Sequence, residues 1–247
     1  MLKQKHSHSV VKLLIHARSG RTYITDREMF NTEYGLVRVK VGEQISSTGE
    51  KFLVTDPFFV DLWRRIRRGP QITHWKDLGL VSVLTGVGPG WRIVEAGSGS
   101  GFSTCFFAHI VGPSGHVYSY ESNPRHMRIA RENVAHCGYL DRVTFVDKDI
   151  SKGIDQRDVD LVFLDLPEPW LVFEHALKAL KPGGFLVCYV PSTDQVRRCI
   201  DAISDGFTPF GVYETFVRTW KTSPALRPEN TGILHTAFVL VTRKAKK

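Results

Sequence analysis

Residues 91–103 constrain this chain more than any other stretch. A short apolar run, Ile93 and Val94, ends in an acid, Glu95, and glycines follow at alternate positions, Gly97, Gly99 and Gly101. That order predicts a strand, a tight turn and the opening of a helix, because glycine takes backbone conformations closed to residues with a Cβ and lets the chain approach a ligand closely. Residues 102–110 continue as an apolar segment of helical length. A dinucleotide-binding turn needs G-x-G-x-x-G, and here the third glycine comes one position early, which argues against a pyrophosphate at this turn.

Downstream, strand-like and helix-like stretches alternate. Strands are predicted over residues 116–121, 142–146, 160–165 and 185–190, and helices over 124–137, 173–180 and 194–204. Two further β stretches, 210–220 and 233–242, bring the total to seven. The alternation is the signature of a doubly wound α/β sheet, here over residues 91–247. Upstream, short bursts at 10–15, 21–25, 35–41, 43–46 and 51–55, punctuated by glycines, predict a small all-β unit over residues 1–56, a compact barrel. His6, His8 and His16 in this unit read as surface residues. Residues 57–90 read as a helical connector and the start of the α/β domain. Asp56 is placed as an N-cap with Pro57 at the first helical position, and Phe58, Phe59, Leu62, Trp63 and Ile66 recur at helical spacing. The opposite face carries Asp61, Arg64, Arg65, Arg67 and Arg68, a pattern that suits either a solvated face or phosphate contact.

The formal charge of +8 and a pI near 9.4 make a polyanionic partner plausible. No apolar run approaches the roughly 20 residues of a membrane-spanning helix, and the first residues lack the apolar core of a signal peptide, so a cytoplasmic protein is expected. Cys105, Cys137, Cys188 and Cys199 stand singly, with no C-x-x-C pair and no histidine at zinc-site spacing. They read as buried free thiols, with a disulfide left open and no metal implied.

In open α/β sheets ligands bind where the strands stop. Four stop on or beside acids: Glu95, Glu121, Asp149 and Asp165. Glu121 lies 20 residues after Gly101, the distance at which an acid ending the second strand accepts hydrogen bonds from both hydroxyls of a ribose. Directly after Asp165 come two prolines separated by one residue, Pro167 and Pro169, and then Trp170. Prolines at that spacing make a rigid, extended lip, presenting Glu168 and Trp170 toward a shared space.

The E-x-G-x-G-x-G loop resembles the cofactor loop of class I S-adenosylmethionine (SAM) methyltransferases, Rossmann-like enzymes whose seven-stranded sheet ends in an antiparallel pair. Taken with the D-L-P-x-P-W lip, the segment at Gln71, and the C-terminal Arg227, Pro228 and Glu229 with His235, Thr236, Ala237 and Phe238, the chain resembles the tRNA adenine-N1 methyltransferases of archaea and bacteria. The resemblance covers nearly the whole chain, the small N-terminal β unit included. It implies methylation of a T-loop adenine, position 58 and in some archaeal members also 57, by a homotetramer. It further implies that Gly97, Ser98, Gly99 and Ser100 hold the methionine end of SAM, with Gln71, Gly101 and Ser103 around them. Glu95 is expected near the methionine amino group, Glu121 at the ribose, Asp149 at the adenine amine, and Asp165 as the catalytic carboxylate. Two departures stand out. The family usually has Tyr-Pro-Lys-Asp where this chain has His74, Trp75, Lys76 and Asp77, so His74 or Trp75 is the aromatic over the site. His126 stands where an arginine is frequent.

Adenine N1 carries a lone pair in the neutral base, so alignment matters more than deprotonation. Asp165 is suited to accept a hydrogen bond from the neighbouring N6 amine and to stabilise the positive charge left on the ring. Arg64, Arg65, Arg67, Arg68 and Arg227 are candidate phosphate or sugar contacts, and Trp170 a candidate to stack on the base or to pack in the core. Two other readings remain open from sequence: a class I methyltransferase acting on another substrate, and a non-catalytic RNA-binding partner subunit.

Overall fold

The computed structural model describes residues 11–69, 72–229 and 235–245. The chain divides into two compact units, one running to Arg65 and the other starting at Ile66. The first unit is antiparallel throughout. Strands β1 (Lys12–His16), β2 (Thr22–Thr25), β5 (Gly42–Ile45) and β6 (Lys51–Thr55) form a sheet in the order β2-β1-β6-β5, and β3 (Met29–Thr32) pairs with β4 (Gly35–Arg38) as a separate hairpin. The β3 strand is an addition to the expected set. Leu14, Val37, Phe52 and Val54 form the core of this unit, with Tyr23, Phe30 and Tyr34 against it. His16 is buried rather than exposed: it stacks on Tyr34 at 3.7 Å and bonds Ser19 and Glu50, which satisfies both ring nitrogens. His6 and His8 lie outside the described residues.

Helix α1 (Phe59–Trp63) is shorter than expected and starts later. Asp56 is not its cap but pairs with Lys12 at 2.5 Å, while Asp61 Oδ2 accepts from Phe58 N at 3.0 Å. Arg64 therefore caps the helix and Arg65, Arg67 and Arg68 follow it, instead of sharing its outer face.

The second unit begins with α2 (Trp75–Thr85) and continues β7 (Arg92–Ala96), α3 (Phe102–Val111), β8 (His116–Glu121), α4 (Pro124–His136), β9 (Val143–Asp147), β10 (Val159–Leu164), α5 (Phe173–Ala179), β11 (Leu180–Val190), α6 (Thr193–Asp201), β12 (Gly211–Tyr213), β13 (Trp220–Lys221), β14 (Arg227–Pro228) and β15 (Phe238–Arg243). Seven strands form one sheet in the order β12-β15-β11-β10-β7-β8-β9. The five strands from β11 to β9 in that order are parallel, and β15 alone runs against both neighbours. All six residues of β10 are buried, as expected of a strand covered on both faces. The predicted strand at 210–220 is two pieces, β12 at the sheet edge and β13, which pairs instead with β14. Strand order reverses between β7 and β10, so the crevice beyond their carboxyl ends is where this architecture places a ligand.

Candidate active site

At that switch point Gly97 continues β7 with φ +87°, and a Cβ on it would overlap the carbonyl oxygen of Asp165, the residue following β10. Asp165 N donates to Ala96 O at 3.0 Å. Only a residue without a Cβ lets these two strand ends close on each other. Gly101, with φ +75°, does the equivalent for the helix: a Cβ there would sit 2.9 Å from Ala130 Cα, so α3 opens hard against α4. The serines between tie the loop to its surroundings. Ser98 Oγ lies 2.5 Å from Ser119 Oγ, and Ser100 Oγ accepts from Gly69 N at 2.9 Å.

Glu121 turns back over the loop from the end of β8, its Oε2 accepting from Gly99 N at 3.0 Å and its Oε1 from Asn123 N at 2.9 Å. His126 Nδ1 stands 3.9 Å from that Oε2. Asp149, beyond β9, accepts from the hydroxyl and N–H of Ser151 at 2.7 and 2.9 Å, which holds its carboxyl below the usual range. Gly97, Glu121, Asp149, Ile150 and Leu166 line one open cleft, and Glu168 of the proline lip faces it too.

Asp165 lies beside Gly97, half-buried, with Oδ2 accepting from Thr73 Oγ1 at 2.7 Å. Burial pushes its carboxyl up to about 7; the Thr73 hydroxyl opposes that rise and the nearby Glu95 charge adds to it.

Several expected placements change. Glu95 does not face the cleft: it is fully buried, and the hydroxyls of Ser103, Thr104 and Ser119 donate to it, Thr104 at 2.7 Å and Ser119 at 2.8 Å. Burial pushes its carboxyl up, and those three hydroxyls pull it down. Ser103 belongs to this inner network as well. Trp170 packs on the core with Arg198 over its ring at 5.4 Å, because Pro169 opens a 3-10 turn that carries the indole away from the cleft. Arg227 is exposed on the β13–β14 hairpin, paired in register with Lys221, and is not among the cleft residues. Arg64, Arg67 and Arg68 are exposed, whereas Arg65 donates to Thr22 O and Oγ1 at 2.7 and 2.6 Å. Gln71 lies outside the described residues. His74 caps α2 through its ring, half-buried, and Trp75 is 48% exposed with its ring 5.2 Å from that of His74.

Sequence reasoning missed a buried polar cluster behind this segment. Asp77 is fully buried and accepts from Lys76 Nζ at 2.6 Å, Thr215 at 2.7 Å, Thr236 at 2.6 Å and Tyr189 at 3.0 Å. It also missed Asn133, whose amide bonds the backbone of Arg67 and Ser100 and so anchors the glycine loop from behind. The signal was present in the Asn133 case: a polar residue on the apolar stripe of an amphipathic helix.

The family described as tRNA methyltransferase complex GCD14 subunit matches residues 59–234. The chain belongs to that family. Among its relatives, the tRNA (adenine(57)-N(1)/adenine(58)-N(1))-methyltransferase TrmI of Methanocaldococcus jannaschii is 31% identical, covering 94% of this chain and 94% of that protein. The tRNA (adenine(58)-N(1))-methyltransferase TrmI of Thermus thermophilus is 35% identical over 86% of this chain and 82% of its own length. Among solved structures, a Thermotoga maritima protein described as a SAM-dependent O-methyltransferase superposes with a TM-score of 0.82 at 29% identity, covering 97% of this chain and 94% of that one. The Aquifex aeolicus tRNA (m1A58) methyltransferase TrmI gives 0.77 at 22% identity over 96% and 97%, which shows the shared Rossmann-like methyltransferase fold.

Proposed function

We propose that this chain is a SAM-dependent tRNA (adenine-N1)-methyltransferase acting on the T-loop adenine at position 58, the position common to the two relatives' names. The observation that carries the reading is Asp165, whose backbone closes directly against the glycine turn at the strand end and whose carboxylate is held by the Thr73 hydroxyl, in a chain of the GCD14 family. The cleft suits SAM by its donor set. Glu121 and Asp149 offer acceptors to a ribose diol and an exocyclic amine, Ile150 and Leu166 offer apolar faces to a flat ring, and the bare backbone at Gly97 admits close approach. When bound, SAM supplies an electrophilic methyl carbon on a sulfonium.

Asp165 accepts a hydrogen bond from the adenine N6 amine, which turns N1 with its lone pair into the site, and the carboxylate stabilises the positive charge that N1 alkylation leaves on the ring. Since the ionised form is the acceptor and burial pushes this carboxyl up to about 7, activity rises as pH passes through neutrality. Glu95 positions the turn from beneath rather than binding the cofactor amine. His74 and Trp75 are the aromatic pair beside Thr73, and we assign the base-facing role to Trp75, the more exposed ring.

Reaching N1 requires turning the base out of the T-loop at a cost of a few kcal/mol. Arg64, Arg65, Arg67, Arg68 and Arg227 are assigned to phosphate and sugar, which gives a salt-dependent affinity. Exposed Val212, Phe216, Trp220 and Leu226 in the 211–229 region support a homo-oligomer, a tetramer by resemblance. No helix among the described residues is long and apolar enough to cross a membrane, and the enzyme is assigned to the cytoplasm from its resemblance to tRNA-modifying relatives. Incubation with methyl-labelled SAM and a tRNA transcript tests the reading: label is expected in wild-type transcript and absent when adenine 58 is replaced. Equal labelling of both transcripts would refute the assigned target.

A further inference from the structure

We infer that Thr73 is a positioning residue for the reaction, setting both the orientation and the ionisation of Asp165 through its hydroxyl. The inference rests on the reading of Asp165 as the catalytic carboxylate. Thr73 is 2% exposed, and its Oγ1 donates to Asp165 Oδ2 at 2.7 Å across 92 residues of sequence. A hydroxyl in that place has no water to compete with it, and by donating it favours the charged carboxylate over the neutral acid.

What makes this contact more than an incidental one is how Thr73 is held. His74, the next residue, caps α2, and one turn later Asp77 receives hydrogen bonds from four side chains, three of them from the C-terminal third of the chain, Tyr189, Thr215 and Thr236. Tyr189, at the end of β11, donates to Asp77 and also accepts from His74 N at 3.5 Å. The backbone at 73–77 is thus pinned to the strand ends on the far side of Asp165. Lys76 neutralises Asp77 inside that network, so the network presents little net charge toward Asp165.

The charged and titratable groups around Asp165 then sort by element. From β7, Glu95 raises the carboxyl, and Glu121, from β8, acts on Glu95 rather than on Asp165 itself. His74 and Tyr189 border Thr73 and engage the Asp77 network instead. Burial and Glu95 favour the neutral acid, and the Thr73 hydroxyl opposes both. The Thr73 hydroxyl is therefore the contact that favours the ionised Asp165 against both. It also occupies Oδ2, which leaves Oδ1 as the oxygen to meet the N6 amine.

The test is the pH dependence of kcat/KM for tRNA methylation in wild type, T73V, T73S and D165N, with the Asp165 carboxyl titration followed by carbon-13 NMR in the protein alone. Valine keeps the shape and removes the donor. The acid limb is expected to move up by about one to two pH units in T73V, a loss of roughly 5- to 50-fold at pH 7 that shrinks to about twofold or less by pH 9, and to return in T73S. The NMR midpoint is expected to move with it. A uniformly slower T73V with an unmoved midpoint, or an unchanged profile while D165N is inactive, overturns the role of Thr73 alone. Near-normal turnover by D165N overturns the reading of Asp165 on which it rests.

Discussion

Replacing Gly97 with alanine isolates the closest approach in the site. Two costs arise. The first is conformational: φ +87° is a region that residues with a Cβ avoid, at about 1–2 kcal/mol. The second is steric, because the new Cβ overlaps the backbone oxygen of Asp165 and stands 3.2 Å from its carbonyl carbon, and backbone, unlike a flexible side chain, has nowhere to go. Relief requires β7 and the residue after β10 to part, straining the bond from Asp165 N to Ala96 O. Overpacking of this kind costs about 1–3 kcal/mol, and the strained bond about 1 kcal/mol more. Gly86 provides the control: its φ is +69°, but a Cβ there meets nothing within 4 Å, so G86A carries only the conformational cost. At roughly 2–4 °C per kcal/mol for a chain of this size, G97A should melt at least about 5 °C below G86A and lose SAM binding by calorimetry. Equal melting temperatures for the two variants, with SAM affinity intact in G97A, would refute the close-approach argument.

E121Q should weaken SAM binding by about 10- to 100-fold, the worth of a charge-assisted acceptor, and calorimetry that finds an unchanged Kd contradicts the assignment of Glu121 to the ribose. D77A leaves the Lys76 ammonium buried without its counter-ion, so urea denaturation should show a loss of about 3–5 kcal/mol; a loss below about 1 kcal/mol would mean the cluster is not a structural anchor. His235 touches Glu214 Oε1 at 2.5 Å through Nδ1 and Pro191 O at 2.8 Å through Nε2, and since both partners only accept, both nitrogens carry protons. Its pKa is raised by Glu214 first and the Pro191 carbonyl second, so the stabilisation is complete below the ordinary histidine value and lost as pH rises through the raised one. NMR should show a His235 midpoint above that of free histidine, brought down in E214Q, and no change in E214Q would sink this account.

The sheet was legible because each strand is an apolar run of fixed length bounded by glycine, proline or an acid, and the acids that end such runs fall at the switch point by topology alone. Which way those acids point was not. Glu95 reads like Glu121, yet three hydroxyls from α3 and β8 draw it inward. Trp170 reads as part of the lip, but a 3-10 turn begun by Pro169 redirects it onto the core. Thr73 carries no pattern at all: one threonine before a helix gains its role only through a partner 92 positions away. The Asp77 cluster is similarly invisible, since two of its donors lie 138 and 159 positions along the chain. The loss of the 210–220 strand has the same origin, because pairing of β13 with β14 takes residues that periodicity assigns to the sheet.

The measurement that tests the central claim most directly is reverse-transcription mapping of an unmodified tRNA transcript after incubation with the purified protein and SAM. Methylation at N1 blocks the Watson-Crick edge, so the account predicts a strong stop at adenine 58 that depends on SAM and disappears in D165N. Methyl transfer to the transcript without a stop in the T-loop would contradict it, placing the chemistry on another atom or another nucleotide.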